Sequence, residues 1–138
     1  MANEAFLDAA YAIVLSSHRD FYHKRASILA EELEAAKTEL ITTNAVMLEI
    51  GNALSKLKYR EFGVKLLEAI EQDPKITVIP MSEIFYNEAF RLYRKRLDKE
   101  WGLTDCVSFI IMRNRKINEA LTTDEHFKQA GFRALLLE

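Results

Sequence analysis

Leu40-Ile41-Thr42-Thr43-Asn44-Ala45-Val46-Met47-Leu48-Glu49-Ile50 changes character in mid-stretch, and that change decides the fold. Leu40-Ile41-Thr42 reads as a short buried strand. Thr43 and Asn44 are residue types whose side chains cap the first turn of a helix. The helix they open is expected from about Ala45 to Lys58. A second helix is expected from about Glu61 to Gln72, ending at Asp73-Pro74, and Ile76-Thr77-Val78-Ile79 is the clearest strand, β-branched throughout and closed by Pro80.

Working outward, the same alternation continues in both directions. Upstream, Ala5-Phe6-Leu7 is a brief apolar run that ends at Asp8, and apolar residues recur at helical spacing from about Phe21 to Ala36. Downstream, Ser82 caps a helix to about Leu97, and Asp98 to Leu103 reads as a loop. Thr104 is placed to cap a helix through Arg113. Ala120-Leu121-Thr122 reads as a short strand, Asp124 to Gln129 as a short helix stopped by Gly131, and Ala134 to Leu137 as a last strand. Strands separated by helices imply βαβ units, a parallel sheet and right-handed crossovers. The expected class is α/β.

Composition agrees with one domain. The chain has 138 residues, 49% of them hydrophobic, with four glycines and two prolines. No apolar run approaches the roughly 20 residues that span a bilayer. The first residues carry Glu4 and Asp8 rather than a basic, apolar leader. One cysteine, Cys106, has no internal disulfide partner, which suits a reducing compartment. A soluble, cytoplasmic protein with no membrane attachment is the expectation.

Nineteen basic against 21 acidic side chains leave the chain near neutral, unlike a non-specific nucleic-acid binder. The basic residues are unevenly spread. Eight Lys/Arg (91, 94, 95, 96, 99, 113, 115, 116) face three acids (98, 100, 105) between Arg91 and Lys116. Such a run is either a local basic surface or a plain solvated helix face.

Four carboxylates sit in apolar surroundings. Asp8 and Asp124 each follow a short strand, and the C-terminal ends of parallel strands converge on the ligand crevice of α/β sheets. Glu49 is three residues from Val46 and four from Ala53, so it falls on the stripe of Val46, Ile50, Ala53, Leu54 and Leu57. A lone ionised acid buried there costs several kcal/mol unless it is paired or metal-bound. Asp105 opens Cys106-Val107-Ser108-Phe109-Ile110-Ile111-Met112, apolar nearly all round and therefore a central helix. Taken singly, Asp8, Asp105 and Asp124 are also ordinary helix-cap acids, and Glu49 also suits a salt bridge or the margin of the stripe. Together they form a set of hard oxygen ligands without a His/Cys cluster, which suits Mg²⁺ or Mn²⁺ rather than zinc. Phosphodiester hydrolysis is the chemistry such a site serves. Without a cation the cluster would repel a phosphate backbone.

Phe6-Leu7-Asp8, Thr42-Thr43-Asn44 through Leu54, Leu103-Thr104-Asp105-Cys106 and Leu121-Thr122-Thr123-Asp124-Glu125-His126-Phe127 together resemble a PIN domain. The order and spacing are similar to the small VapC-type toxins of toxin–antitoxin pairs. That resemblance implies a three-layer α/β sandwich with a central parallel five-stranded sheet, spanning residues 1–138 as a single domain. It implies an endoribonuclease that uses one or two Mg²⁺ or Mn²⁺ ions, forms a homodimer and is silenced by an antitoxin. The family's acids fall on Asp8, Glu49, Asp105 and Asp124. Thr104 and Ser108 then lie behind Asp105, and Thr123 behind Asp124. Ala9-Ala10 stands where many relatives carry a hydroxyl after the first acid.

Arg91, Arg94, Lys95 and Arg96 are candidates for RNA phosphates, and Trp101 for stacking on a base or for a packing or partner contact. His126, two residues beyond Asp124, reads as a surface helix residue, with contact to substrate as the alternative; His18 and His23 receive no role, and Cys106 reads as a small core residue. A phosphoacceptor receiver domain would need a second acid beside Asp8 and an Asp ending the middle strand. An aspartyl phosphatase would need Asp-x-Asp, and the chain has Asp8-Ala9-Ala10. The remaining rival is a PIN-like module that binds RNA or protein without cleaving.

Overall fold

The computed structural model describes residues 3–138. β1 (Glu4–Leu7), β2 (Glu39–Thr43), β3 (Ile76–Ile79), β4 (Glu119–Leu121) and β5 (Arg133–Ala134) form one sheet in the order β3-β2-β1-β4-β5. All four pairings are parallel, so every connection is a crossover. β1 lies at the centre, with Phe6 opposite Ile41 on one side and Ala120 on the other. Ala5, Phe6 and Leu7 are at most 2% exposed, as expected for a strand covered on both faces. The chain steps outward to β3 and then returns across β1 to β4. Right-handed crossovers in opposite directions put the helices of the two halves on opposite faces. This is the expected α/β sandwich with five parallel strands.

Seven helices are present among the described residues: α1 (Ala9–Ser16), α2 (His23–Ala35), α3 (Asn44–Ala53), α4 (Leu57–Gln72), α5 (Glu83–Lys95), α6 (Leu103–Arg115) and α7 (Glu125–Gln129). The Thr43 hydroxyl accepts the Val46 N–H at 3.2 Å, and Ser82 does the same for Phe85 at 3.1 Å. Both caps act as their sequence signals indicate. α6 is the core helix, burying Cys106, Val107, Ser108, Phe109, Ile111 and Met112.

Four local expectations need correction. α1 carries no sequence signal as a helix, because Ala9-Ala10-Tyr11-Ala12-Ile13-Val14-Leu15 has no polar face to create a period. The helix expected from Ala45 to Lys58 ends at Ala53, and α4 begins at Leu57 instead of Glu61. The break lets α4 fold back onto α3, and Gly63 makes that approach possible: a Cβ there would stand 3.0 Å from the Leu54 Cβ. Thr104 is not the cap of α6. That position is Gly102, whose N–H donates to Asp105 Oδ2 at 3.1 Å. The last strand is only Arg133–Ala134, and Leu135–Leu137 turns as a 3₁₀ helix with Leu135 and Leu136 buried in the core.

Candidate active site

The strand order reverses at β1, so the crevice of this sheet lies beyond the carboxyl ends of β1 and β4. Asp8 follows β1 there, with its N–H donating to Leu121 O at 3.3 Å. Its backbone sits at the N-cap of α1, yet its side chain makes no cap hydrogen bond. The carboxylate is instead held by Thr122, whose hydroxyl donates to Asp8 Oδ2 at 2.6 Å. The same Thr122 oxygen accepts the Asp124 N–H at 3.0 Å. Thr122 is wholly buried and joins the first acid to the last.

Asp124 and Asp105 do cap helices, and they belong to the crevice as well. Asp124 Oδ1 accepts the His126 N–H at 2.8 Å, and Asp105 opens α6. His126 Nδ1 lies 3.1 Å from Asp105 Oδ2 and 3.4 Å from Asp124 Oδ1. One ligand atom from each of these three residues can be chosen so that all lie within 4.8 Å of one another. His126 is therefore no bystander on the surface. An imidazole thus stands among the carboxylates, where the sequence pattern gathers oxygen groups alone.

Glu49 enters from α3. Its side chain is exposed, not buried on the stripe: Val46 and Ile50 are buried, while Ala53 and Leu57 are not. It sits at the stripe's margin, facing the other acids across the crevice. Desolvation by the crevice walls, followed by repulsion from Asp8, Asp105 and Asp124, raises its carboxyl to about 7. Burial raises Asp8 to about 6, opposed by the Thr122 hydrogen bond and reinforced by Asp105 and Asp124. Asp105 is also raised, first by burial, with the His126 contact working the other way and Asp124 adding to the rise. Asp8, Glu49 and Asp105 each feel the charge of neighbouring acids, and among the described residues no lysine or arginine pairs with any of the four.

The hydroxyl candidates fare differently. Ser108 is buried, but its hydroxyl donates along the helix to Thr104 O at 3.2 Å. Among the described residues, no hydrogen bond joins the side chains of Thr104, Ser108 or Thr123 to a carboxylate. Thr122, one residue before Thr123, fills that role. Trp101 is 4% exposed, edge-on to Phe109 at 5.1 Å, with its indole N–H donating to Gln129 Oε1 at 3.0 Å. A ring so enclosed cannot stack on a base, so the packing alternative holds. Arg96 is engaged too, gripping Asp98 through two 3.0 Å hydrogen bonds and lying over the Trp101 ring. Arg91, Arg94 and Lys95 are exposed on the last turns of α5.

The chain belongs to the PIN domain family, whose family model matches residues 5–133. Among solved structures it is similar to VapC20 of Mycobacterium tuberculosis, described as a sarcin-ricin-loop-cleaving toxin. The identity is 24% over 93% of this chain and 95% of that one, with a TM-score of 0.80. It is also similar to FitAcB of Neisseria gonorrhoeae, at 19% identity, covering 94% of each chain, with a TM-score of 0.64. At these identities the likeness establishes the fold. No curated protein matches the sequence. No helix among the described residues is long and apolar enough to cross a membrane.

Proposed function

We propose that this chain is a Mg²⁺- or Mn²⁺-dependent endoribonuclease, the toxin of a VapBC-type toxin–antitoxin pair. The observation that carries the reading is four carboxylates, Asp8, Glu49, Asp105 and Asp124, gathered in one crevice with no Lys or Arg partner, where burial and the neighbouring acids raise the proton affinity of Asp8, Glu49 and Asp105. Unneutralised, such a group is costly, and a divalent cation is the natural counter-charge. The oxygen donors fit one or two hard cations. When bound, the cation supplies Lewis acidity toward a phosphoryl oxygen and lowers the pKa of a water.

The residues of the chain divide the remaining work. Asp8, fixed by Thr122, and Asp105, fixed by the Gly102 N–H, would hold the ion from the sheet side and the α6 side. Glu49, exposed at the rim, is placed to ligate or to accept a proton from an attacking water. Arg91, Arg94 and Lys95 offer cations to an RNA backbone. A homodimer is supported by Tyr86, Phe90, Tyr93 and Leu97, one exposed apolar stripe along α5 and just beyond it. An antitoxin segment finds an apolar groove of about 450 Å³ beside α1, α2 and α4. The cytoplasm suits the single unpaired cysteine, Cys106.

Cleavage of an RNA panel by purified protein with Mn²⁺ or Mg²⁺, with EDTA, and by Asp8→Asn and Asp105→Asn tests this reading. Cleavage that requires the ion and disappears in both variants supports it. RNA left equally intact by the wild type and both variants makes the chain a binding module.

A further inference from the structure

We propose that His126 is itself a ligand of the divalent ion, a nitrogen donor that tilts the site toward Mn²⁺ over Mg²⁺. The inference rests on the metal-site reading above and adds a residue to it. His126 Nδ1 lies 3.1 Å from Asp105 Oδ2 and 3.4 Å from Asp124 Oδ1. Neighbouring ligands of a six-coordinate ion, each about 2.1 Å from it, stand about 3 Å apart along the edges of the octahedron. His126 Nδ1 therefore stands from each of the two carboxylates at the spacing of one coordination shell, and ligand atoms of all three residues lie within 4.8 Å of one another. Their side chains keep 16%, 34% and 28% exposure for Asp105, Asp124 and His126, so an ion can arrive from solvent without prior opening.

The imidazole is aimed by the core. Phe127, the next residue, is fully buried against Phe6 and Phe109, with ring centroids 6.2 and 5.0 Å away. The His126 N–H is tied to Asp124 Oδ1. α7 thus cannot rotate without moving an aromatic out of the core. Without an ion, Nδ1 is placed to donate its hydrogen to Asp105; among the described residues Nε2 makes no hydrogen bond, so the ring can carry its hydrogen there once Nδ1 turns its lone pair to the ion. Mg²⁺ favours an all-oxygen shell, whereas imidazole binds later divalent metals better. One nitrogen among carboxylates therefore changes which ion the site prefers.

The test is pulsed electron paramagnetic resonance of Mn²⁺ bound to the full chain, read for coupling to ¹⁴N and repeated on protein labelled with ¹⁵N-histidine. Imidazole coupling that follows the label and is lost in His126→Gln is expected. His18 and His23 pack against each other, with His23 bound to Val14 O in the last turn of α1, the helix whose N-cap is Asp8. Calorimetry is expected to show the Mn²⁺-over-Mg²⁺ preference falling roughly tenfold in His126→Gln. Mn²⁺ bound in an Asp105-dependent way but without nitrogen coupling would overturn the proposal and leave the acidic site standing. No Mn²⁺ binding at all would overturn both. Absence of histidine coupling in the wild-type spectrum overturns the proposal whether or not the variant folds.

Discussion

Thr122 Oγ1 donates to Asp8 Oδ2 at 2.6 Å across 114 residues of sequence, and that single bond fixes where the first acid can stand. The same oxygen accepts the Asp124 N–H. In Thr122→Val the shape is kept and both partners lose their bond inside the core. Each unsatisfied buried group costs about 1–3 kcal/mol. The hydrogen bond also lowers the proton affinity of Asp8, so its loss should move metal uptake to higher pH. Thr123→Val should leave stability and metal affinity unchanged. Equal behaviour of the two variants in denaturation and metal titration would remove Thr122 from the site.

The acids make the metal-free fold less stable as pH rises. Asp8 stands at about 6 against a usual 3.8, and Glu49 at about 7 against 4.5. Both folded values are raised, so their stabilising contribution is complete below about 4 and is lost as pH climbs through 6 to 7. The melting temperature in EDTA should therefore fall between pH 5 and 8, on the order of a few degrees. Asp8→Asn should flatten that fall, and Mn²⁺ at pH 8 should reverse it for the wild type. A metal-free melting temperature that is constant or rising across this window contradicts the raised values.

Trp101 should report on the fold rather than on RNA. It is the only tryptophan, buried, with its N–H satisfied by Gln129. Trp101→Ala is expected to lose about 3–5 kcal/mol of stability, as large core truncations do. The milder Trp101→Phe should fold and bind single-stranded RNA like the wild type. Trp101 emission in the wild type should not be quenched by RNA through stacking. Quenching together with weakened binding by Trp101→Phe would return the residue to the interface.

The exposed cations of α5 make a salt-dependent prediction. If Arg91, Arg94 and Lys95 each meet a phosphate, replacing all three by Ala should weaken RNA binding. The slope of log affinity against log salt should become shallower by about 2, near 0.7 per lost contact on a single strand. Mn²⁺ affinity should not change. An unaltered slope would make the run a solvated face.

The strands and the four acids were readable because each depends on neighbours in sequence: β-branched runs, cap residues, and an acid directly after an apolar run. Thr43 and Ser82 cap their helices as read. What stayed hidden depends on contacts across the chain. α1 is apolar on every side, and periodicity has nothing to detect there. Glu49 shares a helical line with Val46 by spacing, but α3 ends before that line reaches Leu57, leaving the acid at the rim. Thr122 and Thr123 are equivalent as letters, and only the pairing of β4 with β1 decides which hydroxyl points to Asp8. His126 looks like any polar residue of a short helix until α7 is docked against α6, 21 residues away.

Because β1 pairs with β4 and Asp8 waits for Thr122, two segments far apart in sequence must meet before the acids do. A ribosome delivers Asp8 114 residues before Thr122. Closing so long a loop is a late and slow event in folding. A partly synthesised chain therefore carries Asp8, Glu49 and even Asp105 with no place to assemble them. Topology alone keeps the four acids apart in the growing polypeptide until the chain through Asp124 has been made and β4 has paired with β1.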